Sequence, residues 1–118
     1  MYLCVDVLIW CGSDGPELTV NSRSTGQRRG REVVLECTVD AFPYDSLRVD
    51  WVKNRRRVTQ SDSHDIHRLE GPDHTVTLRV VIRDLTGSDF GDYKCVANNT
   101  VAWKEVVVTV FGRLQHTK

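Results

Sequence analysis

The stretch Asp89-Phe90-Gly91-Asp92-Tyr93-Lys94-Cys95, together with Cys37 and Trp51, decides the fold of this chain. The two cysteines lie 58 positions apart; Trp51 follows the first by 14 positions, and Tyr93 precedes the second by two. Two facing sheets need a cross-link between their centres and one large flat side chain packed against it, and this spacing is typical of such a pair. The pattern therefore predicts an all-β protein with two packed sheets.

Length and charge limit the possible functions. A chain of 118 residues can form one domain with a real core but not two. Lys plus Arg and Asp plus Glu both number 16, so no net charge attracts nucleic acid or a membrane surface. No apolar run reaches the roughly 18 residues of a membrane helix. The composition thus predicts no nucleic-acid partner and no membrane insertion by this segment.

The chain is predicted to consist of a leader (1–14), a domain (15–112) and a C-terminal tail (113–118). The leader is mostly apolar but has no basic residue at its start, so it resembles a truncated signal peptide only in part. The alternatives are a non-native or poorly ordered leader, or the end of a similar upstream domain. Cys4 and Cys11 can bridge to each other, stay free, or belong to something incomplete.

The strands are predicted from period-two alternation and β-branched runs between turn residues. No helical period occurs. Two polar segments, Ser22–Gly30 and Ser61–Asp65, are predicted to be loops. The predicted strands are Glu17–Asn21, Arg31–Val39, Leu47–Lys53, the short Val58-Thr59, Ile66–Glu70, Thr75–Ile82, the strand of Tyr93 to Ala97, and Trp103–Val110. The predicted core residues are Trp51, Leu78, Val80, Ile82, Leu85 and Tyr93.

With these residues in place, the sequence resembles the immunoglobulin superfamily, and within it the intermediate, or I-type, set. The resemblance covers about residues 16 to 111. Too few residues separate Trp51 from Leu78 for the two extra strands of a variable-type domain. The resemblance implies an immunoglobulin-like Greek-key sandwich of the I-set. It rests on Cys37, Trp51, Leu78-x-Val80-x-Ile82-x-x-Leu85 and Asp89-x-Gly91-x-Tyr93-x-Cys95.

A narrower resemblance involves the segment from Asp89 to Asn99 and the closing Val110-Phe111-Gly112. Both are similar to membrane-proximal domains of neuronal adhesion proteins of the lachesin and IgLON kind. The family spacing predicts an inter-sheet disulfide between Cys37 and Cys95, which places the domain in an oxidising compartment. Closing a loop of this length would stabilise the fold by about 4 kcal/mol.

Catalytic motifs are absent from the sequence. There is no Gly-x-Ser-x-Gly elbow, phosphate-binding glycine loop or His-Glu-x-x-His helix, and the carboxylates are spread over turns and edges. The sequence therefore predicts neither an enzyme nor a cofactor.

A histidine cluster raises the question of a metal site. His64 and His67 lie three residues apart, Asp62 and Asp65 are near them, and His74 follows across a turn. Residues three apart on a strand face opposite sides, whereas a metal needs converging ligands. A solvated polar loop is favoured, and no metal site is predicted.

Two arginine clusters suggest a second kind of ligand. If folding brings them together, they can hold a heparan-sulfate-like glycan, because arginine pairs bidentately with sulfate oxygens. The alternative is two solvated turns at different ends of the domain. The clusters are Arg28, Arg29 and Arg31, and Arg55, Arg56 and Arg57.

Asn98-Asn99-Thr100 is a glycosylation sequon, predicted to lie in a hairpin loop that leaves Asn98 accessible. Such three-residue sequons also arise by chance.

The surface best suited to binding protein is the outward face of the strands around Trp51 and Cys95. Trp103 is its predicted anchor because tryptophan is enriched at interface hot spots. The alternatives are a second packed tryptophan at the sandwich edge, and recognition through a sheet edge. The predicted binding face contains Arg48, Asp50, Val52, Lys94, Val96, Trp103 and Lys104.

Together these observations predict an extracellular glycoprotein domain of a cell-adhesion or receptor-type protein, secreted or part of a membrane protein's ectodomain. It would recognise another protein, or a second copy of itself, through one sheet face. One alternative is a structural spacer in a multi-domain chain, extracellular or titin-like, and another is a receptor module for sulfated glycans. Free thiols at Cys37 and Cys95 in native material would favour an intracellular spacer.

Overall fold

The structure, a computed structural model, describes residues 16–40, 47–72, 75–100 and 102–113. These ranges contain nine strands and one short 3-10 turn. The strands are β1 (Glu17–Val20), β2 (Ser24–Gln27), β3 (Val33–Asp40), β4 (Arg48–Lys53), β5 (Arg56–Arg57), β6 (His64–Glu70), β7 (Thr75–Ile82), β8 (Gly91–Asn98) and β9 (Trp103–Gly112), and the 3-10 turn is Gly87–Asp89. The predicted leader, Cys4, Cys11 and most of the predicted tail lie outside the described residues.

The strands form two sheets, as predicted. One has four strands in the order β1-β3-β7-β6, and the other has five in the order β2-β9-β8-β4-β5. The chain changes sheets five times, between β1 and β2, β2 and β3, β3 and β4, β5 and β6, and β7 and β8. The crossings from β3 to β4 and from β7 to β8 place long strands of the two sheets in sequence, so that these four strands can share one core.

The core lies between these central strands. Alternate residues of β3, β4, β7 and β8 face inward, and removing each large side chain from water contributes roughly 1.5–3 kcal/mol. The six predicted core residues are at most 7% exposed. The buried hydrophobic residues are Val33, Leu35, Cys37, Val39, Leu47, Val49, Trp51, Val76, Leu78, Val80, Ile82, Leu85, Tyr93, Cys95, Ala97, Val108 and Val110.

Two contacts join the sheets at the centre of the core. The predicted disulfide between Cys37 on β3 and Cys95 on β8 is confirmed, with the two Cα atoms 6.3 Å apart. Trp51 is paired with Cys95 in the register of β4 and β8. Its indole nitrogen donates a 2.9 Å hydrogen bond to the carbonyl oxygen of Leu78 on the other sheet. The indole therefore fills the core without leaving its polar group unpaired.

The prediction that Ser22–Gly30 is a loop is wrong, because β2 lies within it. This strand pairs in parallel with β9, from Ser24 opposite Thr109 to Gln27 opposite Gly112. Its sequence is polar throughout, since it is an edge strand held by backbone hydrogen bonds and not by an apolar face. Alternation of apolar residues cannot reveal such a strand.

The short strand predicted at Val58-Thr59 lies instead at Arg56–Arg57. Asn54 and Arg55 have positive φ angles of 52° and 68°, which close a two-residue turn between β4 and β5. Lys53 pairs directly with Arg56, so the new strand begins as soon as the turn ends. Farther along, β6 begins at His64, inside the segment predicted to be a loop.

Candidate functional site

The outer face of the five-stranded sheet contains six of the seven residues predicted to bind protein. In the register, Val52 lies opposite Lys94, and Asp50 lies opposite Val96. All four alternate with buried residues and therefore point away from the core. Arg48 and Trp103 lie on the same face, in the row across the sheet that contains Asn98, since both are paired with that residue. We call this surface, together with the outward residues of β9, the outer face.

Lys104 does not belong to the outer face. It lies opposite Ala97, which is fully buried, so it has the inward parity of β9. Glu105, opposite Val96, takes its place on the outer face. The run Val106-Val107-Val108 hides the alternation of β9, because valine occupies inward and outward positions alike. Only the pairing with β8 settles which residues face out.

The outer face combines apolar side chains with loosely paired charges. Trp103 is 58% exposed and Val107 36%. Arg57 lies 3.7 Å from Asp50, and Lys94 lies 3.6 Å from Glu105. Exposed ion pairs at these distances contribute less than about 1 kcal/mol, so a partner can rearrange them at little cost. The exposure of Trp103 favours the anchor over a packed tryptophan.

The sequon lies on the same surface. Asn98 is the last residue of β8, not a loop residue, and it is paired with both Arg48 and Trp103. Side chains directly opposite each other in a sheet have Cβ atoms about 5 Å apart. A glycan on Asn98 would therefore begin beside the indole of Trp103.

The two arginine clusters lie at the same end of the sandwich, on two sides of the 3-10 turn Gly87–Asp89. A side-chain carbon placed on Gly87 would lie 2.9 Å from Nη2 of Arg29, so this guanidinium covers the turn from one side. On the other side, Nζ of Lys53 donates a hydrogen bond to the carbonyl oxygen of Ser88. We call this the Asp89 end.

At the Asp89 end, a cavity of about 250 Å³ opens between β5 and β6. Its cationic side chains outnumber its single carboxylate. The residues that line it are Lys53, Arg56, Arg57, Val58, Thr59, Ser61, His64, Asp89 and Tyr93. We call it the basic pocket.

Tyr93 forms the inner wall of the basic pocket. Its hydroxyl donates a 2.5 Å hydrogen bond to the carbonyl oxygen of Asp89, and Nζ of Lys53 lies 5.4 Å from the centre of its ring. Burial, with a smaller contribution from the charge of Asp89, raises the pKa of Tyr93.

His64 and Asp89 form the wall facing the cations. Nε2 of His64 lies 3.7 Å from Oδ1 of Asp89, and Nδ1 lies within hydrogen-bond distance of the hydroxyls of Ser61 and Ser63. The other oxygen of Asp89 accepts hydrogen bonds from the backbone nitrogen and the hydroxyl of Thr86, at 2.8 and 3.1 Å. Both side chains are therefore held in place without a ligand.

The histidines do not converge. His64 is paired with the buried Ile82 and His67 with Arg79, so the two have opposite parities on β6. Hydrogen bonds from Arg83 and Gln60 lower the pKa of Asp65. His74 lies outside the described residues, and no group of three or more metal-ligating side chains is present in the rest of the structure described.

The described residues also include no helix long and apolar enough to cross a membrane.

The sequence of residues 15–99 matches the family described as immunoglobulin domain. The chain belongs to this family. Both the disulfide with its packed tryptophan and the hydrogen bond of Tyr93 at the start of β8 are typical of immunoglobulin domains. The assignment to the I-type set stays a prediction.

Curated relatives of this immunoglobulin domain are much longer proteins. MAM domain-containing glycosylphosphatidylinositol anchor protein 2 of Homo sapiens is 38% identical over 69 residues, which are 58% of this chain and 7% of that protein. Protein amalgam of Drosophila melanogaster is 27% identical over 96 residues, which are 81% of this chain and 28% of that protein. The chain thus spans a small part of each.

Solved structures show the same fold. In the crystal structure of Dpr2 Ig1-Ig2 in complex with DIP-Theta Ig1-Ig3, one chain superposes with a TM-score of 0.77 at 22% identity, over 84% of this chain and 32% of that chain. The M1 domain from titin superposes with a TM-score of 0.66 at 18% identity, over 82% of this chain and 95% of that one. Identities this low establish the fold alone.

Proposed function

We propose that this immunoglobulin domain is an extracellular binding module of a cell-adhesion or receptor-type protein, and that its outer face recognises another protein. The observation that carries the proposal is the exposure of Trp103, 58%, on a sheet face that also presents valines. Tryptophan is enriched among the residues that dominate binding energy, and it contributes most when a partner removes it from water.

The rest of the outer face suits a protein partner. Val96 and Val107 supply apolar area on the same face as the anchor, and the charged residues Asp50, Lys94 and Glu105 alternate with them in the register. Specific interfaces commonly combine apolar and polar side chains. The charges would set orientation and association rate more than affinity.

Two further observations support an extracellular location. A structural disulfide such as Cys37–Cys95 forms and persists in oxidising compartments. Among the relatives is a protein named as a glycosylphosphatidylinositol anchor protein, and a structural neighbour was solved as a complex of two immunoglobulin-domain proteins.

The proposal can be tested by screening a multivalent form of the 118-residue chain against a panel of purified cell-surface ectodomains that includes the chain itself. For any partner found, we expect Trp103→Ala to weaken binding at least ~10-fold, as hot-spot truncations do. Leu69→Ala is the matched control, because Leu69 is 46% exposed on the opposite sheet.

Since both substitutions are at exposed positions, neither should lower the thermal stability appreciably. Partners that lose affinity with Leu69→Ala but not with Trp103→Ala would overturn the proposal.

A further inference from the structure

We propose that the basic pocket binds a sulfate group of a sulfated glycan, with Arg56 as the principal ligand and Lys53 beside it. The site lies at the Asp89 end between β5 and β6, away from the row of Trp103, so it is independent of protein recognition by the outer face.

The proposal starts from cations whose charge is not used within the fold. In the described part of the chain, no hydrogen bond or ion pair involves the side chain of Arg56. Arg57 belongs to the outer face, because it is paired with Val52 and lies 3.7 Å from Asp50. Arg56 has the opposite parity and is paired with Lys53, which lies over Tyr93 and is fixed by Ser88. One guanidinium group and one ammonium group are therefore present at this cavity.

The carboxylate in the pocket does not neutralise these groups. Asp89 already accepts two hydrogen bonds from Thr86 and lies next to His64. It faces the cations from the opposite wall, and the pocket keeps an excess of positive charge. The lining that offers an anion Arg56 and Lys53 also contains the hydroxyl-bearing residues Thr59 and Ser61.

Size and chemistry favour a sulfated sugar over a larger ligand. A cavity of about 250 Å³ is smaller than the pockets that hold drug-sized molecules. The planar fork of arginine matches the oxygens of a sulfate group bidentately, and serine and threonine hydroxyls can pair with sugar hydroxyls. One sulfated sugar unit meets all of these conditions.

The second arginine cluster indicates that the ligand is a polymer. Arg28, Arg29 and Arg31 are exposed on the far side of the 3-10 turn, at the same end of the sandwich. A chain with a sulfate in the basic pocket can therefore continue across the turn towards further cations. A small isolated anion in the pocket would not also contact this second cluster of arginines.

The test is a titration of the 118-residue chain with a heparin hexasaccharide at physiological salt. Calorimetry measures the affinity, and amide chemical shifts locate the site. We expect saturable binding, with shifts concentrated at Val58 to Ser61. Arg56→Gln should weaken binding at least ~10-fold, because a charge-assisted bidentate contact is lost.

The matched control is Arg23→Gln, at an exposed cation that lines a different cavity. It changes the net charge equally and should leave the affinity within about twofold, since distant exposed charges are screened at this ionic strength. Equal weakening by both variants would show attraction by net charge alone and would overturn the proposal.

A second titration uses a hexasaccharide that retains its carboxylates but has lost its sulfates. We expect no saturable binding. Equal affinity for this probe would assign recognition to carboxylate and overturn the choice of sulfate. Unaltered thermal unfolding of each variant is required, so that loss of binding is not loss of fold.

Discussion

At the scale of single residues, Tyr93 connects the core to the basic pocket. Its side chain is 1% exposed, yet its hydroxyl reaches the carbonyl oxygen of Asp89 beyond the core. This hydrogen bond fixes the turn that positions Asp89, and Asp89 in turn contacts His64. Tyr93, which packs in the core, therefore also helps to determine the shape of the basic pocket.

Tyr93→Phe should lower the free energy of unfolding by about 1–2 kcal/mol, because a partly buried carbonyl loses its donor. Urea denaturation measures the change. Thr109→Val, which removes an exposed hydrogen bond to Asp92, is the control and should cost less than about 0.5 kcal/mol. Equal losses in the two variants would contradict the role given to Tyr93.

The same residue predicts how stability varies in alkaline solution. Folding raises the pKa of Tyr93 above its ordinary value of about 10. The contribution of its neutral hydroxyl to the free energy of unfolding is therefore fully present below that pH. It is lost as the pH rises through the higher value of the folded state. The decline above about pH 10 should therefore be shallower in Tyr93→Phe.

At the scale of elements, the turn between β4 and β5 holds Arg55 in a strained backbone conformation that a single substitution could relieve. Arg55 has a φ of 68° at the second position of a two-residue turn, where glycine is the preferred residue. A left-handed conformation costs an ordinary residue about 1–2 kcal/mol, which exceeds the roughly 0.5–1 kcal/mol that glycine loses through the greater freedom of the unfolded chain.

Arg55→Gly should therefore stabilise the domain by about 0.5–1 kcal/mol, as measured by the urea midpoint. Arg57→Gly is the control, since Arg57 lies in β5 and does not have a positive φ. It should destabilise the domain. A loss of stability in both variants would show that the turn is not strained at Arg55.

The elements also show what could be predicted from the sequence. The sequence predicts β7 at the bounds that the structure has, because Thr75–Ile82 is a β-branched run after a turn in which Leu78, Val80 and Ile82 share parity. β2 was missed because an edge strand held by backbone pairing has no apolar period. The basic pocket was missed as well, since Arg56 and Asp89 meet only after the chain has crossed between the sheets.

At the scale of the whole molecule, the disulfide is the main constraint on the unfolded chain. It joins residues 58 positions apart, about half of the length of the chain. Reduction should lower the free energy of unfolding by about 4 kcal/mol, through the entropy of loop opening. Small domains have only about 5–15 kcal/mol in total, so the reduced form should be marginally stable.

Urea denaturation with and without reductant measures this difference. The control is the double variant Cys37→Ala with Cys95→Ala, which should unfold at a much lower urea concentration and respond to reductant hardly at all. A wild-type midpoint unaffected by reductant would contradict the prediction.

The parallel pairing of β2 with β9 determines how the domain responds to pulling. Tension between Pro16 and Arg113 draws the beginning of β2 and the end of β9 in opposite directions along parallel strands. The hydrogen bonds between Ser24–Gln27 and Thr109–Gly112 are then sheared together and cannot be broken one after another. A domain built this way resists mechanical force applied at its ends, a property that the proposed adhesion role would require.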